Sequence, residues 1–376
     1  MKKQPTNTAA WIYKKHAKLE VAEAPYTEPG ANQIVVRNRA VALNPLDWII
    51  QVEGNLTYGW LDYPAVLGAD VAGEVVGVGS AVTRFRVGDR VLALAVGTDK
   101  DANAAAEGAF QQYTVVLERL ASPIPESMSF EDAAVLPLAV STASAGLFGK
   151  DLLDLRLPAA DANPTGQTVL VWGGSTSVGS NAIQLAVAAG YDVITTASPR
   201  NFDNVTSLGA ARVFDYNGPT VIGDIIEAMR DRTLAGAISF GPTGGPACVK
   251  IAAKCTGKKF VAIATPPVSF ETLGDESKGR FERARITRKL ISSNIALQTS
   301  ARANGVGVKY IFGSSIKKSD LSTAIFRDFL PAALAEGRYV ATPKPTIVGN
   351  GVDDFQHAMD VQRAGVSAAK LVVALS

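Results

Sequence analysis

Over residues 8–120 the apolar positions fall in short runs bounded by turn residues, a pattern that predicts strands. Gln33 to Leu43 is one extended run. Asp70 to Val82 alternates small and apolar residues around Gly73, Gly77 and Gly79. Gly88-Asp89-Arg90 is a turn that leads into a strand, and Gly108 to Leu117 reads as another. Phe130 to Lys150 predicts two short helices broken at Pro137, because proline lacks the N–H a helix interior needs. From Thr168 the pattern switches to alternating strands and helices at 168–172, 181–189, 192–197, 202–208, 211–214, 220–230, 235–240, 246–255 and 259–264. That alternation predicts an α/β, doubly wound parallel sheet. Asp275 to Leu290 is a charged amphipathic insertion, Leu321 to Glu336 a helix, and Lys370 to Leu375 a closing strand. Asp161 to Gly166 reads as a loop at a domain junction, and no internal repeat interrupts the pattern.

The segment from Thr168 to Ser180 concentrates the chemistry. Thr168 to Trp172 is short and rich in β-branched residues, as buried parallel strands are. Gly173 and Gly174 permit a turn, and Gly179 would let the next helix pack close to the strand. Asn181 to Ala189 reads as that helix, with Gly190 as its stop. A helix N-terminus in this place offers free N–H groups and partial positive charge to a phosphate. The dinucleotide fingerprint G-x-G-x-x-G is imperfect here: Gly174-Ser175-Thr176-Ser177-Val178-Gly179 carries Thr176 at the middle glycine, so a strand-turn-helix without ligand is the competing reading. The next strand, Tyr191 to Ala197, tips the balance. Reading an NAD ribose calls for Asp or Glu at its end. This chain has Ser198-Pro199-Arg200-Asn201, which would welcome a 2′-phosphate instead. The expected cofactor is NADPH.

Composition narrows the class. The 376 residues suggest two domains, and 47% hydrophobic content is ample for their cores. A net charge of +2 gives no signal for nucleic acid, and no segment reads as a signal peptide or membrane span, so a cytoplasmic protein that binds neither nucleic acid nor membrane is expected. Cys248 and Cys255 fit no disulfide framework or zinc motif, and His16 and His357 are the only histidines.

Several spaced motifs then carry a resemblance that covers nearly the whole chain. Asn44-Pro45-Leu46-Asp47, the glycine-rich run Gly68 to Gly79, Val87-Gly88-Asp89-Arg90-Val91, Gly108-Ala109-Phe110-Gln111-Gln112-Tyr113 and Leu208 to Tyr216 resemble, in order, segments of the zinc-free medium-chain dehydrogenases/reductases. Within that family the likeness is to quinone oxidoreductase-like proteins and fungal trans-acting enoyl reductases. The resemblance implies a GroES-like β-rich catalytic domain from both chain ends, 1–135 and 315–376, and a Rossmann NADPH-binding domain over 136–314. Zinc alcohol dehydrogenases place Cys where Asn44 stands, His where Ala69 stands, and a third ligand near Val140. A catalytic zinc needs three such ligands, so no metal is expected. Asp47 and Asp70 are left with a solvated or hydrogen-bonded structural role.

The same resemblance distributes the site. Thr142 would lie beside the nicotinamide ribose, or be a helix N-cap. Tyr216 would stack near the adenosine end, or simply end a strand. Phe240, Gly241, Ala264 and Thr265 end strands whose C-terminal loops line cofactors in open α/β sheets, and Phe312 and Gly313 should lie near the nicotinamide. With Pro45, Gly174, Ser175, Thr176, Ser177, Val178, Ser198, Arg200 and Asn201 these form the expected cofactor-binding set. Asn44 could orient a substrate carbonyl, or be a turn residue before Pro45. Tyr58 is the candidate acid, or a partly buried aromatic. Lys370 could reach the site, but a surface lysine is the preferred reading.

The expected function is NADPH-dependent reduction of an activated C=C bond, in an enoyl thioester or enone, by hydride transfer without zinc. A quinone reductase and a non-catalytic NADPH-binding protein are the alternatives. The expected partners are a small-molecule or acyl-thioester substrate, with the chain as monomer or homodimer, and a partner synthase as a further option.

Overall fold

The computed structural model describes residues 5–54, 56–265, 268, 270 and 279–376, the stretch 279–282 as backbone only. Asn55 and residues 275–278 of the expected charged insertion therefore lie outside the described residues. The chain divides into two compact units, Met1–Leu138 with Ile325–Ser376, and Ala139–Ala324.

In the first unit the strand Gln33–Ala42 is the hub of a seven-stranded sheet. Along one edge it pairs antiparallel with Asp70–Val78. Along the other it pairs with Tyr113–Leu117 at its start and with Ala369–Ala374 at its end. The register sets Ala42 opposite Asp70 on one side and opposite Val372 on the other, and the Leu43 N–H donates to the Leu371 carbonyl at 2.9 Å. Strands Arg90–Leu94, Ala121–Pro123 and Lys344–Gly349 complete the sheet. A second, three-stranded sheet joins Asn7–Ile12, Glu20–Ala24 and Ala65–Val66.

Two sequence expectations change here. The strand expected from Gly108 begins only at Tyr113, because residues 108–112 bend. The buried Asn38 amide donates to the carbonyls of Ala109 (3.1 Å) and Gln111 (2.6 Å), and Gln111 Nε2 donates to Gly108 at 2.7 Å, so side chains satisfy groups a strand would have paired. The helix expected over Leu321 to Glu336 is broken into Asp320–Thr323, a wide-turn stretch Ala324–Phe329, and Leu330–Ala335. Pro331 accounts for this, since it cannot return an N–H to the preceding turn.

The second unit is a parallel sheet whose path runs Arg212–Asp215, Asp192–Ala197, Gln167–Trp172, Thr233–Ser239, Phe260–Ile263, Gly307–Tyr310. In chain order this is 3-2-1-4-5-6, the doubly wound Rossmann arrangement, with its switch point between Gln167–Trp172 and Thr233–Ser239. The alternation of period predicted this sheet, apart from its last strand. Leu170, Ile194, Ala237 and Val261 from four strands, with Ile225, Val249, Ile251 and Leu297 from helices, form part of its buried core.

Candidate active site

At the switch point the glycine turn is dictated by steric contact. Gly173 adopts φ of 88°, a region open to glycine. A Cβ on Gly179 would stand 2.1 Å from the Gly173 carbonyl oxygen, so only glycine lets this helix approach its strand. The helix starts at Ser177, not at Asn181 as the apolar pattern suggested, and runs to Ala188. Thr176, at the position of the missing glycine, is its N-cap. Its hydroxyl accepts from Gly179 N–H at 3.0 Å and donates to the Gly173 carbonyl at 2.8 Å. That cap satisfies the third amide of the helix and leaves those of Ser177 and Val178, which have no intrahelical acceptor. The Ser177 hydroxyl is buried without a hydrogen-bond partner. Such an orphan beside two helix-start amides fits a dinucleotide phosphate.

Other expected residues of this unit gather at the same edge of the sheet. A Cβ on Gly173 would come within 2.9 Å of the Phe240 carbonyl, and Gly241 N–H donates to Thr265 Oγ1 at 3.1 Å. Phe240 is buried, so its backbone is the part that faces the turn. Ala264 N–H donates to Ser239 O at 3.0 Å, which fixes the neighbouring strand end. Thr142 lies in the interior of the helix Pro137–Phe148, which removes the N-cap reading. Its neighbour Ser141 donates to the Gly313 carbonyl at 2.5 Å, drawing Thr142 and the 312–313 loop together. Phe312 is 62% exposed. One strand over, Ser198 Oγ and Tyr216 OH lie 3.3 Å apart, and Arg200 follows in the turn Pro199–Asn201. No carboxylate occupies residues 198–201 at this strand end. Ser175 is half-buried in the turn itself.

In the first unit the strand register builds a buried polar cluster. Asn44 is the N-cap residue of the helix Pro45–Glu53, with Pro45 at the first helical position, which its fixed φ favours. Lys370 stands across from it in the strand Ala369–Ala374, and Asp70 on the other side. Lys370 Nζ donates to Asn44 Oδ1 at 2.5 Å and lies 2.9 Å from Asp70 Oδ2. Asn44 Nδ2 donates to the same Asp70 oxygen at 2.8 Å, and Leu138 N–H donates to Asp70 Oδ1 at 2.6 Å. Asp47 Oδ2 accepts from Asn44 N–H at 2.7 Å. Lys370 is 4% exposed, so it is an ion-pair partner in the core and not the surface lysine expected from sequence. Asp47 and Asp70, at 2% and 0%, are hydrogen-bonded but not solvated. Burial, reinforced by the Asp70 charge, lifts the Asp47 carboxyl to about 7 against the pull of the Asn44 N–H and Lys370.

Tyr58 lies in a turn tied down by Glu53, whose carboxyl accepts from Thr57 Oγ1 at 2.5 Å. Its ring meets Trp60 at 5.0 Å between centroids. Burial, then the charges of Asp99, Glu53 and Asp47, push its hydroxyl pKa up. Sequence reasoning passed over Glu53 and set Lys370 on the surface. The signal for Lys370 was a lone cation opening the apolar run Lys370 to Leu375.

With this geometry established, comparison with known proteins supplies the lineage. The Alcohol dehydrogenase GroES-like domain family matches residues 30–126. The chain is 51% identical to "Dehydrogenase pigH" of Monascus ruber, over 99% of this chain and 100% of the relative. It is 36% identical to "Trans-enoyl reductase himH" of Aspergillus japonicus, over 98% of each. Among solved structures it is similar to the CurK enoyl reductase (TM-score 0.71, 18% identity, 98% of this chain and 99% of that one). It is likewise similar to the quinone oxidoreductase from Coxiella burnetii (TM-score 0.67, 21% identity, 98% and 100%). The chain belongs to the medium-chain dehydrogenase/reductase family of nicotinamide-nucleotide-dependent oxidoreductases. Among the described residues no helix is long and apolar enough to cross a membrane.

Proposed function

We propose that this protein reduces a C=C bond conjugated to a carbonyl, in an enone or enoyl thioester, with NADPH and without a metal. The observation that carries the reading is the buried Asn44–Asp70–Lys370 cluster, a charge-backed amide at the start of the helix Pro45–Glu53. Relatives named trans-enoyl reductase, the Aspergillus japonicus protein among them, support the C=C assignment.

The residues divide the work. The amides of Ser177 and Val178 and the Ser177 hydroxyl would hold the pyrophosphate, and Ser198, Arg200 and Tyr216 the 2′-phosphate. Asn201 extends that corner, while Thr142 and Gly313 would border the nicotinamide end. Bound NADPH supplies the hydride. Asn44 would orient the acceptor carbonyl and donate a hydrogen bond to its oxygen as negative charge develops there, where a fixed dipole in a dry site is most effective. Catalysis is then orientation and oxyanion stabilisation, with water as the proton source.

The test is steady-state turnover of chelator-treated protein with NADPH or NADH against a crotonyl thioester, an enone and a quinone. Turnover of thioester or enone with NADPH is expected. Exclusive turnover of quinone, or activity that returns only with added zinc, would overturn the assignment.

A further inference from the structure

The cluster around Asn44 settles a detail that electron count alone leaves open in any asparagine: which end of the amide points where. An ammonium can only donate hydrogen bonds and a carboxylate can only accept them. Lys370 Nζ therefore requires the oxygen of the amide on its side, and Asp70 Oδ2 requires the nitrogen on the other, at 2.5 and 2.8 Å. The two ions also meet each other at 2.9 Å, so the three groups close a triangle. Asp70 is itself anchored by the Leu138 N–H at 2.6 Å, and Asn44 by its own N–H to Asp47 at 2.7 Å. Rotation of the amide by half a turn would set Oδ1 against Asp70 and Nδ2 against Lys370, two repulsive contacts in a buried site. The oxygen is spent on Lys370, and Nδ2 has one of its two hydrogens on Asp70.

We infer that Lys370 and Asp70 are positioning residues that lock the Asn44 amide as a hydrogen-bond donor toward substrate. A locked donor matches the oxygen of a conjugated carbonyl, which can only accept and on which negative charge develops. This rests on the reading that Asn44 meets the substrate oxygen.

The experiment measures kcat and KM for an enone in steady state with NADPH. In Lys370→Met/Asp70→Asn, which removes both charges together, the amide is free to turn. There kcat should fall by about tenfold, the value of one hydrogen bond, while KM for NADPH stays unchanged. Lys370→Arg keeps a donor-only cation and should retain the wild-type kcat. If the double variant folds and keeps the wild-type kcat, the positioning role is wrong. Asn44→Ala separates the two levels. Full activity in Asn44→Ala would remove Asn44 from the proposed mechanism. A large loss there with no effect of the double variant would remove only the inference about Lys370 and Asp70.

Discussion

Ser198 and Tyr216 face one another from the ends of two adjacent parallel strands, their hydroxyls 3.3 Å apart. Two hydroxyls in that position, with Arg200 in the next turn, make a corner that can donate to a phosphate, and residues 198–201 contribute no acid to repel it. Arg200→Ala should weaken NADPH binding by roughly tenfold to a hundredfold, the worth of one charge-assisted hydrogen bond. NADH binding should be nearly unchanged. Fluorescence titration of both nucleotides checks this, and equal losses would give Arg200 a structural role only.

Tyr58 carries a hydroxyl made reluctant to ionise by burial and by the negative charges of Asp99, Glu53 and Asp47. A group in that environment is a poor proton donor. Tyr58→Phe should slow single-turnover NADPH oxidation with an enone by less than about tenfold. An essential general acid would cost on the order of 10²–10⁴. Asn44→Ala should be the more damaging of the two.

The Asp47 carboxyl, lifted to about 7 chiefly by burial, holds its proton more tightly in the folded chain than in the unfolded one. The stability it contributes is present below its ordinary value near 4 and is lost as pH rises to about 7. The loss amounts to roughly 4 kcal/mol at most. Asp47→Asn should flatten the fall in stability between those two pH values. Urea unfolding of wild type and variant across that range reads the difference directly, and parallel curves would show that Asp47 does not titrate there.

Gly179→Ala tests the turn. The added methyl would stand 2.1 Å from a backbone oxygen, so the helix must retreat from its strand. A loss of about 1–3 kcal/mol is expected, as for other overpacked sites, together with weaker nucleotide binding. Thermal melts with and without NADPH separate the two effects.

What could be read from the sequence was what is local. The run from Thr168 to Gly179 announces strand, turn and helix because each step uses neighbours a few positions away. Even there the helix start was misplaced, since Ser177, Gly179 and Ser180 are poor helix formers and the unbroken apolar pattern begins only at Ala182. Thr142 was ambiguous because a threonine beside Ser141 suits both a cap and a helix interior. Lys370 was misread for a stronger reason. A lysine is exposed by default, and its partners lie hundreds of residues away, reached only through the register of three strands.

The contact between Lys370 and Asn44 spans 326 positions. The whole of the Rossmann unit is synthesised between its two ends. During translation the nucleotide-binding unit can therefore fold while the strand Gln33–Ala42 still lacks one neighbour along its edge, with Asp70 buried beside no cation. Contacts of this separation form late and slowly. A nascent chain stalled before Ala369 would hold every strand of the Rossmann sheet while Asn44 and Asp70 still lack Lys370.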